Sequence, residues 1–208
     1  MNIYIGIDPS INSTGVCIQK YNDKDILKKE YFFIIKPNKL TKKEEKINIV
    51  DFQYLLYNKI DLSIYKNSHE QEYYKTMNIL SIMEKIDNII NQYTHKNDHV
   101  TIIMEGISYG SSLRTKSIFD LAGLNYLLRY TIINHKNVQL CICPPAEIKK
   151  FASGKGNSDK DILCEAFLVL YPQFEGIKKI DDIVDAYFMC KYGVEYFKHM
   201  ESSFKIHK

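Results

Sequence analysis

Six consecutive residues near the middle of the chain, Val100 to Glu105 (VTIIME), constrain the fold more than any other feature. The run is too short for a membrane span. It is also too apolar, on odd and even positions alike, to leave either face in water. It predicts a strand at the buried centre of a sheet, and it ends on a carboxylate, Glu105. A second strand is legible at the N-terminus, where Ile3, Ile5 and Ile7 alternate with Tyr4, Gly6 and Asp8. That period-two pattern ends at Asp8, so two strands finish on an acid.

The rest of the chain falls into place around these strands. Pro9 to Ser13 is turn chemistry, and Gly15 to Gln19 restarts an extended run, which predicts a hairpin. Glu30 to Ile35 (EYFFII) reads as a third strand. From about Gln71 to Tyr93, Met77, Leu80, Met83, Ile86, Ile89 and Ile90 recur at three- and four-residue steps, the mark of a long amphipathic helix. Ser117 to His135 is helical, and Val138 to Cys143 is another apolar strand. Pro144-Pro145 opens a short helix through Phe151. Ser158 with Asp161 forms a capping-box pattern for a helix to about Tyr171. A last helix covers about Asp181 to Lys198, with Asp181 as its N-cap or at the edge of a site. Lys36 to Lys66 opens with Pro37 and a charged run and reads as an insertion or extended connection with some structure of its own. This order predicts an α/β fold, a mixed five-stranded sheet with helices on both faces, in a single domain over residues 1–208.

Composition narrows the function classes. The net charge of the 208 residues is only +3, so any nucleic-acid surface must come from local clustering. The five cysteines include no CxxC pair and sit mostly in apolar runs, as expected of buried reduced thiols in a cytosolic or nuclear compartment. Met1 leads directly into a strand, which argues against a signal peptide. No apolar run approaches the ~18 residues of a membrane span.

The acids carry the chemistry. If the strands ending at Asp8 and Glu105 pair in parallel, the two side chains lie about one strand spacing apart, ~4.8 Å. Bare carboxylates that close repel, and a divalent cation with a taste for hard oxygen ligands, such as Mg²⁺, removes the penalty. The last helix supplies a second pair. Asp182 and Asp185 are three apart and share one face with Met189, flanked by Ile183, Val184, Ala186, Tyr187 and Phe188. An Asp in such a helix is costly to bury unless neutralised. Each acid alone has an ordinary explanation, an Asx-turn for Asp8 or a dipole partner for Asp182. Four together fit one metal site far better.

Gly6-Ile7-Asp8-Pro9-Ser10 with Thr14-Gly15, then Met104-Glu105-Gly106, then Asp182-Ile183-Val184-Asp185-Ala186, resembles the RuvC-type Holliday-junction resolvases. Cys143-Pro144-Pro145 with Ile148-Lys149-Lys150-Phe151, then Gly154-Lys155-Gly156 and Lys160, is similar to that family's third segment. The match runs in order from Met1 to about Tyr192, apart from Lys36 to Lys66, which looks longer than the bacterial connection. The stretch Glu105 to Gly110 looks more like phage and large-virus relatives.

The resemblance implies an RNase H-like fold and a crossover junction endodeoxyribonuclease that resolves four-way junctions, and other branched DNA, by paired nicks. It implies Asp8, Glu105, Asp182 and Asp185 as catalytic metal ligands for two Mg²⁺ ions ~3.5–4 Å apart, with Mn²⁺ as a substitute. It also implies a homodimer formed through helices, whose two-fold symmetry suits a junction cut twice. For DNA contacts, Lys149, Lys155 and Lys160 surround a glycine-bearing loop that leads into a helix N-terminus, a setting that favours phosphate. Ser111, Ser112, Arg114 and Lys116 follow Glu105 closely and suit backbone contacts. Tyr109 is placed to stack on an unpaired base, worth roughly 1–3 kcal/mol.

Three rival readings share parts of this pattern. Gly-Ile-Asp-x-Ser followed by Thr-Gly also resembles the first phosphate loop of the sugar-kinase, actin and Hsp70-type ATPases. Those chains need a second glycine-rich loop and leave the Asp182/Asp185 helix without a task. A non-catalytic DNA-binding scaffold would have no reason to keep all four acids. A related nuclease acting on RNA–DNA hybrids, in transposition, or on flaps and branched viral DNA would use the same acids.

Overall fold

The computed structural model describes residues 1–107, 117–154 and 160–205. Strands β1 (Asn2–Asp8), β2 (Thr14–Tyr21) and β3 (Leu27–Pro37) form an antiparallel meander. Strand β4 (Phe52–Tyr57) adds parallel to β3, while β5 (His99–Glu105) and β6 (Val138–Cys143) add in parallel on the other side of β1. The sheet order is β4-β3-β2-β1-β5-β6. Among the described residues the sheet thus has six strands, not five. The extra strand, β4, lies inside the Lys36 to Lys66 segment. It is a half-buried edge strand without clean alternation, which is why its sequence does not announce it.

Among the described residues five α-helices flank the sheet: α1 (Ser68–Tyr93), α2 (Ser117–Ile133), α3 (Pro145–Ser153), α4 (Lys160–Leu170) and α5 (Ile180–Lys205). Helix α1 starts three residues before the expected start at about Gln71, because the Asn67 side chain caps it by accepting from the Glu70 N–H at 2.8 Å. The cap predicted at Ser158 lies outside the described residues. Helix α5 begins one residue ahead of Asp181, after Lys179 turns the chain at a φ of 64°. Asp181 is therefore inside the first helical turn and is not the N-cap.

Strand parity sorts the core into two layers. Ile3, Ile5, Ile7, Val16, Ile18, Ile102 and Met104 face one side and pack with α1 and α2. Tyr4, Cys17, Phe32, Ile34, Ile103 and Cys143 face the other and pack with α3, α4 and α5. Asp8 and Glu105 share the parity of Tyr4 and Ile103, so both acids point to the side that α5 covers.

Helix α5 reaches the sheet because glycines leave room for it. A Cβ on Gly6 would sit 1.9 Å from the Ala186 carbonyl oxygen, and one on Gly15 would sit 1.9 Å from that of Asp182. Both clashes are with backbone, so no side-chain rotation would relieve them. Residues 182 and 186 are one turn apart, and the two glycines seat that turn against β1 and β2. Cys190 finishes the seam: its Sγ accepts from the Gly6 N–H at 2.9 Å and lies 3.1 Å from the Cys17 carbonyl oxygen.

Candidate active site

The register of β1 on β5 pairs Ile7 with Met104, so the next residues, Asp8 and Glu105, end their strands side by side. Both ends are pinned. After Asp8 the turn closes when Thr14 Oγ1 donates to the Ser10 carbonyl at 2.7 Å and accepts from the Ser10 N–H at 3.1 Å. After Glu105 the Gly106 N–H donates to the Cys143 carbonyl at 2.8 Å. The Glu105 carbonyl accepts from Asn125 Nδ2 of α2 at 3.0 Å. Asn125 is buried in an otherwise apolar helix face, and that polar exception is the signal by which the sequence could have revealed it as a positioning residue.

Asp8, Glu105 and Asp185 open into one pocket of about 150 Å³, with Pro145, Ile148, Lys149, Lys160 and Met189 as the remaining walls. Asp185 and Met189 share one face of α5, as their spacing predicts. Asp182 stands one turn earlier and is buried beside Ser13. Among the described residues its Oδ2 meets no donor in good hydrogen-bonding geometry, the Ser13 hydroxyl being the neighbour that interacts with the carboxylate. The structure thus gathers three of the four predicted acids in the pocket and sets the fourth behind them, still close enough to act on Asp8 by charge.

All four carboxyls are pushed toward the protonated state. Asp8 is raised well above its ordinary pKa, first by burial and then by Asp185, Glu105 and Asp182. Glu105 is raised by burial and by Asp185. Asp185 is raised chiefly by burial, against the pull of Lys160. Asp182 rises to about 6, again by burial, while the Ser13 hydroxyl favours its charged form.

Lys160 supplies the countercharge. Its Nζ lies 3.3 Å from Asp185 Oδ2 and 3.5 Å from Asp181 Oδ2. Burial would lower its pKa, but Asp185 and Asp181 outweigh burial and hold the ammonium charged. Asp181 therefore joins the rim of the site through this lysine.

Lys149 lines the pocket, and it too favours the charged forms of Glu105 and Asp185. Lys155, Tyr109, Ser111, Ser112, Arg114 and Lys116 lie outside the described residues.

The donor set suits a hard divalent cation: carboxylate oxygens, mutually repelling, one of them without a well-formed hydrogen bond among the described residues. Among the described residues no three acidic, histidine or cysteine side chains already converge on a single coordination point. Unscreened carboxylates repel one another, so a set that closes only around a cation is the physical expectation.

No family model matches the chain, and no curated protein matches its sequence. Solved structures do. The chain is similar to RuvC of Thermus thermophilus, with a TM-score of 0.53 at 12% identity over 90% of each chain. It is similar to the yeast mitochondrial Holliday junction resolvase, with a TM-score of 0.50 at 16% identity over 97% of this chain and 83% of that one. It is also similar to the fowlpox virus Holliday junction resolvase, with a TM-score of 0.50 at 11% identity over 93% of this chain and 99% of that one. At such identities the likeness establishes the fold: this chain has the RNase H-like fold of the RuvC-type resolvases.

Proposed function

We propose that the chain is a metal-dependent endonuclease that cuts branched DNA, with the four-way junction as its preferred substrate. The observation that carries this reading is one pocket in which Asp8, Glu105 and Asp185 meet Lys149 and Lys160. The fold around that pocket is the one used by junction resolvases from a bacterium, a yeast mitochondrion and a poxvirus.

Two Mg²⁺ ions held by Asp8, Glu105 and Asp185, with Asp182 completing the set, would lower the pKa of an attacking water and neutralise charge on the leaving oxygen. The protein's own groups do the rest. Asp8, placed centrally among the acids, orients the water against the scissile phosphate. Lys149 and Lys160 offer cations to the non-bridging phosphate oxygens. Met189, Ile148 and Pro145 give the pocket an apolar wall that strengthens these charges by excluding water. For Lys160 to reach phosphate it must leave Asp185, an exchange that a metal ion on Asp185 would promote.

A homodimer is part of the proposal. The leucine face of α2 is not what a partner would meet: Leu124 and Leu128 are fully buried in the core. The opposite face carries Phe119, Tyr126, Tyr130 and Ile133 at helical spacing, all of them exposed. That stripe offers a self-complementary surface for a two-fold pair.

The test is a substrate panel. Labelled four-way junctions, flaps, duplex and RNA–DNA hybrid are incubated with and without Mg²⁺. Symmetric paired nicks in the junction are expected, and they should vanish in Asp8→Asn while junction binding persists. Preferential cleavage of the hybrid, or undiminished cleavage by Asp8→Asn, would overturn the reading.

A further inference from the structure

The cysteines of the chain sit in different settings. Cys17 and Cys190 are fully enclosed, and the Cys190 sulfur is already engaged by the Gly6 N–H. Cys164 on α4 is partly exposed. Cys141 and Cys143 differ from all three. They hold alternate positions of β6, so both side chains leave the same face of the strand. Their sulfurs lie 3.6 Å apart, within hydrogen-bonding contact. Cys141 is partly exposed and Cys143 is buried. The Cys143 thiol donates in this pair and holds the Cys141 pKa below its ordinary value, which favours the reactive thiolate on the more exposed partner.

The pair stands where a small movement matters. Register sets Cys143 opposite Glu105 and Cys141 opposite Ile103. The Cys143 carbonyl accepts from the Gly106 N–H at 2.8 Å, one of the contacts that fix Glu105 at its strand end. The next residue, Pro144, is the N-cap of α3, and Pro145, Ile148 and Lys149 of that helix wall the acid pocket. Strand β6 ends the sheet, with β5 on one side and no strand on the other among the described residues. A change in its pleat meets little resistance from outside and passes inward to Glu105 and α3.

Joining the two sulfurs makes such a change. A disulfide sets them ~2.05 Å apart, with Cα atoms typically ~5.5–6 Å apart. Alternate residues of an extended strand are spaced about 6.6 Å. The strand end must therefore contract, which draws Cys143 out of register with Glu105. A bridge formed under strain is readily reduced, the property of labile, regulatory disulfides and not of structural ones.

We infer that Cys141 and Cys143 form a dithiol modification site, oxidised by a small-molecule disulfide and restored by a thiol, whose bridged form disables the acid pocket. The consequence for cleavage rests on the nuclease reading, whereas the chemistry of the sulfurs does not. With oxidised glutathione the exchange balances. The Cys141 thiolate attacks one glutathione sulfur, the S–S bond breaks, and one glutathione thiolate leaves. The Cys143 sulfur then attacks Cys141 Sγ and expels the second glutathione. The protons of the two cysteine thiols end on the two glutathiones, so one disulfide is reduced as another forms.

Two measurements test this. In the first, the full chain is equilibrated without metal in buffers of varied reduced and oxidised glutathione, quenched by alkylation and mapped by peptide mass. A Cys141–Cys143 bridge within one chain should form in the oxidising buffers and vanish in the reducing ones. Hydrogen exchange on the same samples should show the Gly106 N–H exchanging about tenfold faster, or more, in the bridged form. Cys141→Ser and Cys141→Ala, either of which removes the bridge, should give the same Gly106 exchange in every buffer. The inference falls if Cys141 stops at the glutathione mixed disulfide, if the bridge forms between chains, or if neither sulfur is oxidised. A bridge that leaves Gly106 exchange unchanged also overturns it.

The second measurement is Mg²⁺-dependent cleavage of a four-way junction. Oxidised wild type should cut on the order of 100-fold more slowly, the scale expected when a catalytic group shifts by about an ångström, and should recover on treatment with dithiothreitol. Cys141→Ser should cut equally in both buffers. Equal cleavage by oxidised and reduced wild type overturns the inference although the nuclease stands. If no DNA is cut in either state but the bridge forms and frees the Gly106 N–H, the modification site stands and the nuclease reading falls.

Discussion

At the scale of single residues, the acids compose a site held in an unfavourable charge state, and this has a measurable consequence. Asp182 titrates near 6 in the folded chain because of burial, against an ordinary value of 3.8. Between those values the folded chain keeps a proton that the unfolded chain has lost, so the Asp182 contribution to stability falls as pH rises from about 4 to about 6 and is level above. The loss is on the order of 3 kcal/mol. In urea titrations of metal-free protein, Asp182→Asn, which mimics the neutral acid, should gain on the wild type steadily across that window. A constant difference between the two proteins would contradict the assignment. Adding Mg²⁺ should raise the wild-type melting temperature more at pH 7 than at pH 5, because ligands must shed protons to bind metal. These acids were legible because each sits where a periodic pattern ends or is interrupted. Asp8 and Glu105 close apolar strands, and Asp185 breaks an apolar helix face. The separation of Asp182 from the pocket was not legible, since i and i+3 on a helix share a face without sharing a cavity. Nor was the pairing of Lys160 with Asp185, which joins the starts of two helices that only tertiary packing brings together.

At the scale of elements, the placement of α5 is decided by the strands beneath it as much as by its own sequence. Gly15→Ala would drive a methyl group into the Asp182 carbonyl, a backbone atom that can move only if the helix moves. The cost should reach or exceed the ~1–3 kcal/mol of ordinary overpacking. DNA cleavage should fall as well, because the displaced helix carries Asp185. Gly123→Ala in α2 is the matched control. There a Cβ would meet nothing closer than Ile79 Cδ1 at 3.9 Å, so the change should stabilise by up to about 1 kcal/mol. Equal effects of the two substitutions on the urea midpoint would refute the seating of α5 on glycine. The motif Gly6-Ile7-Asp8 with Thr14-Gly15 was visible in the sequence, but its purpose was not, because the clash that requires glycine comes from a helix more than 160 residues later. Strand β4 was hidden for a different reason. Its neighbours Glu44, which is buried, and Lys36, which is partly exposed, form an ion pair, so the charged run that reads as a solvated connection is partly inside the protein. Burial would raise the Glu44 pKa, but Lys36 and Thr41 outweigh it and hold the carboxyl below its ordinary value.

At the scale of the whole molecule, the sheet divides the tasks. The face under α5 carries the acids, and the face under α1 and α2 is core, with α2 presenting its far side to solvent. Phe119 is 81% exposed and Tyr130 64%, on a helix whose opposite face is fully buried. Charged residues would serve solubility better at those positions, so the stripe argues for a partner. A second copy of the chain is the partner the proposed reaction calls for: two strands of a four-way junction are cut symmetrically, and an isologous pair of α2 helices would supply two related sites. Tyr126→Glu with Tyr130→Glu should then convert a dimer to a monomer in sedimentation velocity, with folding intact because both side chains are exposed. On a cruciform plasmid the wild type should release linear product within the lifetime of one complex, whereas the double variant should accumulate nicked circles. A wild-type monomer at micromolar concentration would remove the dimer from the proposal. A double variant that still cuts both strands in one encounter would show that pairing, if present, does not run through α2.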